Sequence, residues 1–159
     1  MYLLFILLFG ISGYLRERFF EHLNIILASV YRGTNEYAIV HQSPPSLMKP
    51  FLNWSYPTLY YSKYIFTLFW VIVFWTISIF ALKKLSHSLK LKGFLHKSYL
   101  AMLATAAISM LMGYLINDNL ENDEYTFSRW LLGIAQSPLI CLILLASEKL
   151  YLKTDPNDK

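Results

Sequence analysis

Long uncharged apolar runs, rather than alternating or helix-periodic patterns, dominate this chain. Tyr64 to Leu82 is nineteen residues without a charge, held between Lys63 and Lys83. At ~1.5 Å per helical residue such a run nearly covers a ~30 Å hydrocarbon core, so it predicts a transmembrane helix. Tyr99–Ile116 and Trp130–Ala146 are two more uncharged runs, and Tyr2–Leu15 is a shorter one. The expected fold is all-α: a polytopic membrane protein of about four transmembrane helices at 2–15, 64–82, 99–116 and 130–146, in one membrane domain covering 1–159.

The segments between these runs set the orientation. Lys83, Lys84, Lys90, Lys92 and Lys97 crowd into residues 83–98. Lysines concentrated in one short loop mark the cytoplasmic side of a span. Residues 83–98 are therefore expected as a cytoplasmic lysine loop, 16–63 as an external loop, and both termini as cytoplasmic. Arg16 and Arg18, directly after the first run, weigh the other way. Within the external segment, Leu15, Phe19, Leu23, Ile26, Leu27 and Val30 fall at helical spacing. They predict an amphipathic interfacial helix, or a continuation of the first span, that stops at Arg32-Gly33. Pro44, Pro45, Pro50 and Pro57 then deny Thr34–Lys63 a long regular element. Trp54, Tyr56, Tyr60 and Tyr61 suit the headgroup belt.

Inside the runs, packing features stand out before chemical ones. Phe66, Trp70 and Phe74 form a ridge at steps of four, a candidate groove for a partner helix. Ala101, Thr105, Ser109 and Gly113 make a small-residue stripe, and Gly133, Ser137 and Cys141 make another. Small stripes let membrane helices approach closely, so the third and fourth spans are expected to pack together. Pro138 should bend the fourth span near its middle, with Ser137 or Gln136 satisfying a freed backbone group. Glu21 and Arg129, placed at the ends of the first and fourth spans, are expected to form an inter-helix ion pair.

Composition agrees and narrows the function classes. The chain is 56% hydrophobic and 15% charged, against about 25% charged in a typical soluble domain, which favours spans over a soluble core. The net charge of +4 lies mainly in the lysine segment and reads as topology, not nucleic-acid binding. A single cysteine, Cys141, excludes an internal disulfide and a CxxC redox pair. His22, His41, His87 and His96 form no HxxxH or HExxH pair, and Asp118–Glu124 lacks the spacing of a calcium loop. The four runs hold no ionisable side chain of the kind that proton-coupled transport or intramembrane catalysis uses. No catalytic residue, cofactor or metal is therefore assigned. The reading is a non-enzymatic accessory subunit in a bacterial inner membrane. Its partner is an integral membrane protein or a second copy, within the lipid bilayer. A small pore-forming or membrane-disrupting effector is the alternative class, and a small transporter or membrane enzyme the next.

Two short segments carry a family resemblance. Arg18-Phe19-Phe20-Glu21 follows the first run, and Arg129-Trp130-Leu131-Leu132 with Gln136-Ser137-Pro138-Leu139 introduces the last. In layout and in these motifs the chain resembles the exosortase-system-associated proteins, small membrane proteins encoded beside exosortases in Bacteroidetes. His22-Leu23-Asn24 stands where that family has an aromatic-acidic-proline run. The resemblance implies a non-enzymatic partner of a membrane cysteine transpeptidase that sorts exported proteins, with no catalytic residue in this chain.

Overall fold

A computed structural model describes residues 2–33, 45–86, 89–117 and 126–154, and every regular element among them is helical. The order is α1 (Tyr2–Arg32), a 3-10 helix (Ser46–Asn53), α2 (Tyr56–Leu85), α3 (Leu89–Asn117), α4 (Thr126–Ala135) and α5 (Leu139–Thr154). The acidic segment Asp118–Glu124, His41 and His87 lie outside the described residues, as do the surroundings of Gly113.

Two helices are long and apolar enough to cross a membrane: α2, with mean hydropathy 2.4, and Lys90–Met112 of α3, with mean hydropathy 1.3. Helices α4 and α5 make a third if they form one span through the 60° bend between them. Among the described residues there are thus two to three helices able to span by length and composition, where the sequence pattern led us to expect four. Helix α1 falls short for a visible reason. Its uncharged part ends at Leu15, and Arg16, Glu17, Arg18 and Glu21 follow without a break in the same 31-residue helix.

One boundary falls to one of two expected alternatives, and another differs from expectation. The apolar first run and the amphipathic segment are one continuous helix, because nothing between Tyr2 and Arg32 breaks it: Gly10 and Gly13 are the weakest helix formers there, and each costs only about 1 kcal/mol relative to Ala. Most of the expected lysine loop is also helix, since α2 runs on to Leu85 and α3 resumes at Leu89. Lysine is a good helix former, so charge ends the apolar run without ending the helix. The helix that carries the Tyr99 run accordingly begins at Leu89, so Lys90, Lys92, His96 and Lys97 are helical too. The run Tyr99–Ile116 itself holds no charged side chain; Lys92, His96 and Lys97 precede it on the same helix.

The chain divides into two compact units, Ile11–Trp70 and Met1–Gly10 with Val71–Lys159. In the first, the helical spacing of α1 delivers Leu23 and Ile26 to a core completed by Met48 and Leu59, with Leu23, Ile26 and Leu59 fully buried. Each such side chain withdrawn from water stabilises by about 1.5–3 kcal/mol. Phe19 is the hub beside this core, edge-on to Phe66 at 4.7 Å and to Phe51 at 6.4 Å between ring centres. Phe19 meets Phe66, and Tyr31 meets Tyr56 at 5.2 Å, so these portions of α1 and α2 run antiparallel. Gly33, with φ of 63°, ends α1 in the left-handed conformation that glycine adopts without Cβ strain. Pro45 caps the start of the 3-10 helix and Pro50 lies within it, and its Phe51 carbonyl accepts from the Trp54 backbone N–H at 3.2 Å.

In the second unit, Val71, Phe74, Ala81 and Leu82 of α2 are buried together with Leu95, Tyr99 and Ala106 of α3. Phe9 of α1 stacks on Phe74, with ring centres 6.1 Å apart. Helix α3 packs more extensively along α4 than along α5. At the opposite edge Ser86 Oγ donates to Glu148 at 2.8 Å, and the Lys149 ammonium lies 4.9 Å from the centre of the Tyr2 ring.

Candidate functional site

The polar chemistry of the second unit gathers where α2, α3 and α5 meet. Helices α2 and α3 lie against each other, with residues 21 apart in sequence meeting across the pair. Ser78 thereby faces Tyr99, and their hydroxyls lie 3.3 Å apart, both side chains fully buried. One turn earlier in α2, Trp75 stacks on Tyr99 with ring centres 5.4 Å apart and planes within 6°. The Trp75 indole N–H donates to His96 Nδ1 at 3.1 Å. An indole N–H can only donate, so Nδ1 of His96 must accept. That leaves Nε2 as the nitrogen of the ring turned to other partners, and the side chain is exposed. From α5, the buried Cys141 thiol reaches the Ser78 carbonyl at 3.9 Å.

The break between α4 and α5 adjoins Cys141 in sequence and follows from Pro138. Proline has no N–H, so it withdraws the bond that Ile134 C=O would accept in a continuous helix. The replacement is local. Ser137 gives that carbonyl its Oγ hydrogen at 2.7 Å and its backbone N–H at 3.1 Å. The Leu139 N–H in turn donates to Ser137 Oγ at 3.3 Å, and α5 resumes with Leu142 N–H bonding Pro138 C=O at 2.9 Å. The expected bend at Pro138 with satisfaction by Ser137 is what the structure has. Ser128 in α4 and Gln136, just past its end, are buried polar residues of the same region.

The residues singled out by pattern have mixed placements. Of the aromatic ridge, Phe74 is buried in the second unit, while Phe66 is half-buried in the first against Phe19 and Phe51. Trp70 is half-buried, edge-on to Phe69 at 5.6 Å. The outward face of α2 is instead Ile65, Phe69, Ile72 and Phe80. On α3, Ala101 and Thr105 are exposed and Ser109 is half-buried. The face turned inward carries Leu95, Tyr99 and Ala106, because only there do the Tyr99 ring and hydroxyl both find partners. Gly133 is half-buried, but a Cβ placed on it would meet nothing within 4 Å, so it marks no close helix approach. Glu21 is paired on its own helix: Arg18 donates to it at 2.9 Å and also bonds the Tyr14 hydroxyl at 3.3 Å. Arg129 is an exposed residue of the other unit. Tyr14, Glu17, Arg18 and Glu21 line an open depression on α1, and partial burial lowers the pKa of neighbouring Arg16 against the opposing charge of Glu17.

Trp75, Ser78, His96 and Tyr99 carry no motif, which is why a search by spacing passes over them. The usable signal is the short turn itself, which sets them face to face once both helices are drawn. Comparison with protein-family models, with curated proteins and with solved structures finds no match.

Proposed function

We propose that this chain is a non-enzymatic accessory subunit that binds a larger integral membrane protein through the outer faces of α2 and α3. The observation that carries the reading is a division of labour among side chains. Trp75, Ser78, His96, Tyr99 and Cys141 use their polar atoms on one another, as hydrogen bonds that hold membrane helices together. The large apolar residues Ile65, Phe69, Ile72 and Phe80 and the small residues Ala101 and Thr105 point away from that core. An outward small face on a span suits close docking by another helix, since lipid gains nothing from it.

In this reading α4 and α5 form one bent span. Ten residues of α4 rise ~15 Å and the eight from Leu139 to Ala146 ~12 Å, so a 60° bend shared equally leaves ~23 Å of height before the break itself is added. That approaches the ~30 Å core, and a bend of this size carries the chain onward, whereas a re-entrant loop needs a reversal. The Tyr2–Leu15 part of α1, at ~21 Å, is a short fourth span that local thinning of the bilayer accommodates. Lys83, Lys84, Lys90 and Lys92 near the joined ends of α2 and α3 put that end in the cytoplasm of a bacterial inner membrane, with both termini on the same side. The resemblance at Arg18–Glu21 and Gln136–Leu139 points to an exosortase-type transpeptidase as the partner.

Purification from the native host in mild detergent tests this, with each stoichiometric companion identified by mass spectrometry. The reading expects one integral membrane companion, lost on Thr105→Trp while the helical circular dichroism is kept. Recovery of the chain by itself as a homo-oligomer that depolarises vesicles would replace it with the pore-forming alternative.

A further inference from the structure

The α2–α3 hairpin is charged in one sense only. Neither helix contains an Asp or Glu, yet Lys83, Lys84, Lys90, Lys92 and Lys97 all lie toward their joined ends. The acid that the structure brings to the turn, Glu148, already accepts from Ser86 at 2.8 Å. On α3, Lys90, Gly93, His96 and Lys97 fall at helical spacing on one face, and all four are exposed. Gly93 opens a notch in the middle of that face, for a Cβ there would meet nothing within 4 Å. His96 contributes a donor rather than an acceptor, because its Nδ1 is committed to the Trp75 N–H. Every polar side-chain group of the face therefore donates, and none accepts.

Depth gives the face its ligand. The bond to Trp75 sets His96 and the adjoining Lys97 beside the middle of the Tyr64–Leu82 run rather than beyond its end. A lysine at that level keeps its charge in water or headgroups by running its apolar stem toward the nearer interface. Side chains on a helix lean toward its N-terminus, which for α3 is the turn end, so the Lys97 ammonium returns to the level of Gly93. We propose that the Lys90–Gly93–His96–Lys97 face binds the phosphate of an anionic phospholipid, with the acyl chains lying along the apolar surface of α3 at Leu100 and Leu111, beside the Ala101 and Thr105 face.

The test uses the delipidated full chain in detergent, with native mass spectrometry and thermal unfolding followed as lipid is titrated. Dioleoyl phosphatidylglycerol should bind in a discrete one-to-one adduct and raise the unfolding temperature, while phosphatidylcholine does neither. The double variant K90Q/K97Q should bind phosphatidylglycerol about 30-fold more weakly, since each basic residue near an anionic lipid contributes about fivefold. Gly93→Leu fills the notch, and should abolish the adduct at unchanged or higher helicity because the site is open. Equal binding of the two lipids overturns the proposal, and so does phosphatidylglycerol binding that survives both variants. Competition by glycerol phosphate at matched concentration would make this a site for a soluble anion and overturn the lipid assignment.

Discussion

Substitution at Tyr99 separates the two ways in which the buried cluster holds α2 to α3. The Tyr99 hydroxyl sits 3.3 Å from Ser78 Oγ, long for an O–H···O bond whose usual distance is about 2.7–2.8 Å. Interhelical hydrogen bonds in membranes average only about 0.6 kcal/mol, so Tyr99→Phe should cost about 0.5 kcal/mol. The ring is another matter. It is fully buried, and it stacks on Trp75 with planes within 6°. Removing a buried aromatic ring costs about 3–5 kcal/mol, of which the stack supplies about 0.5–1.5 kcal/mol. Tyr99→Ala should therefore destabilise several-fold more than Tyr99→Phe. Ser78→Ala should resemble Tyr99→Phe, and the double variant S78A/Y99F should cost less than the two singles added together. Unfolding in mixed micelles with rising SDS, followed by circular dichroism, measures each difference. Equal losses for Tyr99→Phe and Tyr99→Ala would refute the reasoning, because the hydroxyl and not the ring would then hold the pair.

Other substitutions follow from the same geometry. Trp75→Phe keeps a ring on Tyr99 but removes the donor to His96, and should cost about 0.5–1.5 kcal/mol in the same titration. Ile26→Ala, in the fully buried core of the Ile11–Trp70 unit, should cost about 2–5 kcal/mol, read as a lower SDS midpoint. Arg18→Ala removes an exposed i,i+3 pair with Glu21 and should change that midpoint by no more than about 0.5 kcal/mol. Gly33→Ala forces a Cβ into φ of 63°, and should cost about 1–2 kcal/mol with faster amide exchange in the last turn of α1. Cys141, buried against the Ser78 carbonyl, should resist maleimide in the folded protein and react at once in SDS.

How far the sequence carried depends on which physical signal was used. Charge-free length located α2 well, because nineteen apolar residues have few other fates. It misplaced the start of α3, since Lys90, Lys92 and Lys97 ended the apolar count while leaving the helix intact. At Arg16 the same rule left open whether the helix goes on, and the structure continues it unbroken to Arg32. Periodicity named Leu23 and Ile26 correctly, as both are fully buried. The Pro138 break and its satisfaction by Ser137 were legible because they depend on one missing N–H and one hydroxyl close in sequence. The direction each helix faces was less so. Ala101 and Thr105 looked like an inner stripe, and the preference of Tyr99 for the interior turned them outward. The polar cluster itself was not read, because its members are joined by a turn and not by a motif.

The central claim is that the outer face of α3 is a protein-binding face. The direct measurement is photo-crosslinking in native membranes, with a benzophenone amino acid at exposed Thr105 and, as control, at Ala106, which is 2% exposed. The account predicts one discrete crosslink from Thr105 to another integral membrane protein, and only crosslinks within the chain from Ala106. Labelling of lipid alone, both from Thr105 and from the outward α2 position Ile72, would contradict it.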